Sequence, residues 1–155
     1  MRAKLALLCV VAMALAAPLA IAGSGTDRAT GGGQILLGTQ GAGNTIAFTA
    51  RGTSDAATGN VQYVDRSAGT GQAQVTRHGR VSCLAVEDNM AKIAGTWDQG
   101  GDFQLLVVDN GEGALAENDI VTIQDNQDPN CEDEDDDDDG QTELGRGNVQ
   151  VYDAG

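Results

Sequence analysis

Short apolar stretches recur along this chain about every ten residues, and a cluster of Gly, Asn or Asp separates each from the next. Residues 45–49, 61–63 and 148–152 alternate with period two, the signature of a half-buried strand. Further strands are expected at 72–76, 81–87, 91–97, 103–109 and 120–124, with turn chemistry at 38–44, 52–60, 65–71, 87–89, 98–102 and 110–118. That spacing predicts an all-β fold: one antiparallel β-sandwich or small barrel of about eight short strands. The 22 glycines follow no Gly-X-Y period and come with only two prolines, which excludes collagen and argues against long helices. The five aromatics beyond residue 22, Phe48, Tyr63, Trp97, Phe103 and Tyr152, all fall inside expected strands and are assigned to the core or its rim. No exposed aromatic platform for stacking a sugar is expected.

The first 22 residues have a different character. Arg2 and Lys4 precede an apolar run from 5 to 17, followed by Pro18 and the small-x-small triplet Ala20-Ile21-Ala22. This is the pattern of a cleaved secretory signal peptide, and the run is shorter than the ~20 residues that span a bilayer. The organisation read from the chain is therefore a signal peptide at 1–22, a flexible small-residue start at 23–33, and a β domain at 34–155 carrying an acidic insertion at 125–143. The expected location is secreted, either extracellular or periplasmic, with no membrane insertion of the mature chain. Removal of the leader takes Cys9 with it and leaves Cys83 and Cys131 in an oxidising compartment. A bridge between them would stabilise the fold by about 4 kcal/mol on the chain-entropy model, and two free thiols are the alternative. Zinc needs three or four ligands, and His78 with two cysteines outside C-x-x-C spacing falls short.

Charge constrains partners. The chain carries 9 basic and 23 acidic residues, a formal net charge of −14, and without Arg2 and Lys4 seven basic residues face the same 23 acids, giving −16. A field of that sign disfavours nucleic acid and anionic lipid and favours cations or a basic protein partner. The densest charge is the run Glu132-Asp133-Glu134-Asp135-Asp136-Asp137-Asp138-Asp139, which repels itself and is expected to form a solvated loop tied at its base by Cys131. A basic partner captured by this run would be released by salt, because exposed charges are screened within ~10 Å at 0.1 M.

Catalytic chemistry has little to start from. His78 is the only histidine and sits among Arg77, Gly79 and Arg80 in an expected strand end or turn, and no G-x-S-x-G, Walker loop or H-E-x-x-H accompanies it. The Gly-rich stretch 38–43 precedes an expected strand rather than the helix a phosphate loop requires. Calcium is the more concrete ligand, since hard cations want several oxygens. Asp135-x-Asp137-x-Asp139-Gly140 copies the first half of an EF-hand loop, but Arg146 stands where the bidentate Glu belongs. The better cluster is Asp109, Glu112 and Asp119, which a hairpin joining residues 103–109 to 119–124 would bring together. The competing reading of these residues is structural: Asp and Asn side chains cap the turn while Gly111 takes a positive φ.

Residues about 30–152 resemble a small domain found downstream of choice-of-anchor P domains in bacterial surface and secreted proteins. The resemblance is carried by Thr30-Gly31-Gly32-Gly33-Gln34, Val61-Gln62-Tyr63-Val64-Asp65-Arg66 and Val107-Val108-Asp109-Asn110-Gly111-Glu112. It continues through Asn118-Asp119-Ile120-Val121-Thr122-Ile123 and Leu144-Gly145-Arg146-Gly147-Asn148-Val149-Gln150-Val151. It implies an extracellular β domain without assigned catalytic residues, and the acidic insertion departs from its pattern. The expected function is a secreted, non-catalytic binding or structural surface module with weak Ca²⁺ association and no other cofactor. A secreted hydrolase or inhibitor is the alternative, which convergent polar groups in a concave pocket would favour.

Overall fold

The computed structural model describes residues 25–35, 43–66, 74–112, 118–125, 127, 129–131 and 142–155. Residues 1–22, where a leader is expected, and the acidic run 132–139 lie outside them. Eight strands follow in order: β1 (Asp27–Ile35), β2 (Asn44–Gly52), β3 (Ala57–Asp65), β4 (Val75–Glu87), β5 (Met90–Trp97), β6 (Asp102–Val108), β7 (Ile120–Asp125) and β8 (Leu144–Tyr152). They form one antiparallel sheet in the order β7-β6-β5-β4-β3-β2-β1-β8. β1 to β7 make a meander, and β8 returns to pair with β1. The two ends of the sheet then meet at one point, where Ile120 bridges Glu143, Val121 N–H donates to Thr142 O at 3.0 Å, and Leu144 N–H donates to Asp119 O at 2.8 Å. The sheet is nearly closed into a barrel, which decides between the two all-β architectures that the spacing allows.

Alternation explains why these residues form these strands. In β2, Asn44, Ile46, Phe48, Ala50 and Gly52 are buried while Ala47, Thr49 and Arg51 are exposed; in β6 the buried set is Phe103, Leu105 and Val107. The inward residues of all eight strands form one core, centred on Phe48, Val61, Leu84, Ile93, Phe103 and Leu105. Burying each such side chain contributes roughly 1.5–3 kcal/mol.

The flexible start expected at 23–33 is corrected over residues 27–33, which form most of β1. The small residues that suggest flexibility serve close approach instead. A Cβ on Gly31 would lie 2.7 Å from Asn148 O, and one on Gly33 would lie 2.2 Å from Arg146 O, so only glycine lets β8 come this near. His78 is likewise not at a strand end: β4 runs unbroken from Val75 to Glu87, and the imidazole lies on its exposed face. Tyr152 sits outside the core, 54% exposed, with the Arg28 guanidinium 5.2 Å from its ring centroid.

Three cross-strand pairs inside the barrel set a glycine against an aromatic ring: Gly31 opposite Phe48, Gly79 opposite Trp97, and Gly95 opposite Phe103. Each ring covers the bare backbone of its partner, so few aromatics fill the interior and high glycine content costs little packing. Trp97 and Phe103 also meet each other, with centroids 4.5 Å apart. Cys83 and Cys131 are at bonding distance, Cα to Cα 6.0 Å. Both are buried with Ala94 in a small separate cluster on the outer side of the sheet. The segment after β7 therefore passes outside the barrel, where Gln104 Nε2 donates to Asn130 O at 3.3 Å, before reaching Cys83 beside the irregularity in β4.

A methyl group on Gly95 would lie 2.0 Å from Arg80 O and 2.9 Å from Phe103 Cζ. Gly95→Ala is therefore expected to destabilise the fold by about 1–3 kcal/mol, lowering the melting temperature by several degrees. An unchanged thermal melt would contradict the packing described for the glycine–aromatic pairs.

Candidate functional site

The turn after β6 and the start of β7 bring Asp109, Glu112 and Asp119 together against β8. Asp119 is 6% exposed; its Oδ1 accepts from Asn110 N–H at 3.0 Å and its Oδ2 from Val149 N–H at 2.6 Å. Asp109 repeats the arrangement, with Oδ1 accepting from Gly111 N–H at 2.9 Å and Oδ2 from Val151 N–H at 3.1 Å. Glu112 Oε1 accepts from Asn148 Nδ2 at 3.1 Å and Gln150 Nε2 at 3.2 Å. Gly111 has φ +87°, as the turn reading of this segment requires. Each oxygen of the two aspartates thus takes one backbone N–H, and the cluster ties β8 to the β6–β7 turn. Among the described residues no group of three or more His, Cys, Asp or Glu side chains is arranged to hold a metal ion. The acidic run Glu132–Asp139 falls outside the described residues.

A second polar group is built where β2, β3, β4 and β7 come together. Asn44, 2% exposed, donates from Nδ2 to Tyr63 OH at 2.5 Å and accepts from Arg66 N–H on Oδ1 at 2.8 Å. Nearby, Asp125 accepts from Trp97 Nε1 at 2.8 Å and pairs with Arg77, whose guanidinium lies 5.8 Å from the Trp97 ring centroid. Burial, reinforced by the Asp65 carboxylate, raises the pKa of Tyr63 above its ordinary 10.0, against the partial opposition of the Asn44 hydrogen bond. These contacts link residues far apart in sequence and had no signal in the linear chain.

The outer surface carries an open trough of about 990 Å³ across β1 to β4. Its floor is a row of directly paired residues: Thr30 faces Thr49, Thr49 faces Asn60, and Asn60 faces Arg80. The next row pairs Ala47 with Gln62 and Gln62 with His78. Among the described residues lining it, Asp98 is the single carboxylate, 3.4 Å from Arg80 Nε and exposed to solvent with it. No partner for the His78 imidazole is present among the described residues. The trough offers hydroxyl, amide and guanidinium groups for polar contact, without a nucleophile held against a base. Sequence reasoning missed it because outward polar residues on alternating strands look like any solvated face until strand register aligns them.

The chain matches no protein-family model, and comparison with curated proteins and with solved structures gives no match either.

The raised pKa of Tyr63 makes a pH prediction whose sign follows from linkage. Below pH 10 the phenol is neutral in folded and unfolded chains alike and its contribution is fully present; as pH rises through the folded value that contribution is lost. In a Tyr152→Phe variant Tyr63 is the only tyrosine, and its phenolate absorbance should appear with a midpoint above 10.0 while the protein remains folded. A midpoint at or below 10.0 would contradict the burial described.

Proposed function

We propose that this chain is a secreted, non-catalytic β-barrel module that works by surface contact, and that its working surface is the outer trough on β1 to β4. The observation that carries the reading is the distribution of space: side chains fill the barrel interior, while the large concavity is open and on the outside, with hydroxyl, amide and guanidinium groups set among apolar surface. Surface-module function also agrees with the leader pattern at 1–22 and with the resemblance described for residues 30–152. Ca²⁺ association at Asp109, Glu112 and Asp119 is not part of this proposal, because the aspartate oxygens already accept N–H groups of the turn and of β8, and Glu112 Oε1 accepts the Asn148 and Gln150 amides.

Two measurements test it. Expressed as the full chain in an export-competent bacterium, the protein should be recovered outside the cytoplasm with Gly23 as its first residue; retention in the cytoplasm with residues 1–22 intact contradicts secretion. Amide chemical shifts should then be followed against a panel of neutral and acidic glycans and acidic and basic peptides. Shifts centred on Thr49, Asn60 and Gln62, and abolished by Thr49→Trp, support the assignment. A response confined to the 109–119 turn, or none to any member of the panel, would overturn it.

A further inference from the structure

The acids of this protein are distributed unevenly over its surface. The outward positions of β8, β1, β2, β3 and of β4 up to residue 82 hold Thr, Asn, Gln, Ser82 and Gly with Ala47 and Val64 among them, and Arg146, Arg28, Arg51, His78 and Arg80 are their only ionisable side chains apart from Tyr152. Not one Asp or Glu occupies these positions, although the chain has 23; at the β8 margin Glu112 reaches over from the β6–β7 turn to Asn148 and Gln150, which leaves β1 to β4 as the carboxylate-poor part of the face. Arg28 and Arg51 are direct cross-strand partners, a like-charge pair that destabilises a sheet unless an anion lies over it. Neither has a carboxylate partner among the described residues, and Arg28 leans toward Tyr152. Arg80, at the far side of the trough, meets only the exposed Asp98. Apart from the half-buried Val64 the face has no large apolar side chain of the kind that anchors an ordinary protein interface; Tyr152 stands at its margin.

A concave face of arginines, hydroxyls and amides fits an extended acidic segment, whose carboxylates accept paired N–H bonds from Arg and whose backbone meets Thr, Asn and Gln. The same chain supplies such a segment in Glu132–Asp139. We propose that the outward face of β8, β1, β2, β3 and the first half of β4 is a docking surface for an acidic peptide, and that its partner is the run Glu132–Asp139 of a second copy of this chain. The contact joins two different surfaces, so it is head-to-tail, and copies would add in series as a structural surface module requires. The inference rests on the reading of this face as the working surface. Net repulsion between copies does not forbid it: at ~0.15 M salt the screening length is about 8 Å, so distant charges are muted while groups in contact still attract.

The test is sedimentation of the wild type and two variants at ~0.15 M and ~1 M salt, where screening lengths are about 8 and 3 Å. One variant reverses the face (Arg51→Glu with Arg80→Glu); the other neutralises the run (Asp135→Asn through Asp139→Asn). Arg51 and Arg80 are exposed, and each protein's thermal melt checks its fold. The wild type should grow in mass with concentration at the lower salt and be monomeric at the higher. Either variant alone should weaken association about tenfold or more, and a mixture of the two should form a one-to-one dimer, since each keeps one intact half. A wild type that stays monomeric at every concentration overturns the proposal, as does association indifferent to both variants. If association fails but an acidic glycan shifts Thr49 and Asn60, the partner is wrong and the working surface stands; if nothing engages these residues, both readings fail.

Discussion

Val149 and Val151 hold the N–H groups on the side of β8 that turns away from β1, and Asp119 and Asp109 accept them. The barrel depends on this. β7 meets the β8 end through the Ile120–Glu143 bridge and its two flanking backbone bonds, and among the described residues no further backbone ladder covers that edge. An open edge invites pairing with another chain, and a buried N–H without an acceptor costs about 1–3 kcal/mol. Two carboxylates, fixed by the Asn110–Gly111 turn, act in place of a neighbouring strand. Val149 is fully buried. Its bond to an ionised group belongs to the stronger class of hydrogen bond.

Once the edge is held, the rest of the interior follows from size matching. Rings at Phe48, Trp97 and Phe103 lie against Gly31, Gly79 and Gly95 on adjacent strands. The interior is thereby filled without many aromatics. On the outside a trough crosses β1 to β4, where hydroxyl, amide and guanidinium groups stand with Asp98 as the single carboxylate among the described lining residues.

The fold class was legible because its cause is local. Period-two stretches such as Thr45–Thr49 and the turn clusters between them report strand after strand without long-range information. The start of the domain was misread because Gly31, Gly32 and Gly33 look flexible until a neighbouring backbone is placed beside them. Asp109, Glu112 and Asp119 were legible as a group, since a hairpin brings them together; that they engage β8 was not, because Val149 and Val151 are some thirty to forty positions away. The same limit hid the Tyr63–Asn44 and Arg77–Asp125 contacts. The acid-free face needed both levels: alternation to tell outward from inward, and register to show that Thr30, Thr49, Asn60 and Arg80 share one row.

Carboxylate closure of β8 is the claim on which the architecture stands, and amide hydrogen exchange reads it residue by residue. In the wild type, the Val149 and Val151 amides should be protected like those of the core strands. Asp119→Ala should release Val149 and Asp109→Ala should release Val151, each while Ile93 at the centre of β5 stays protected relative to them. Rapid exchange at Val149 in the wild type, or protection there that survives Asp119→Ala, would contradict the account.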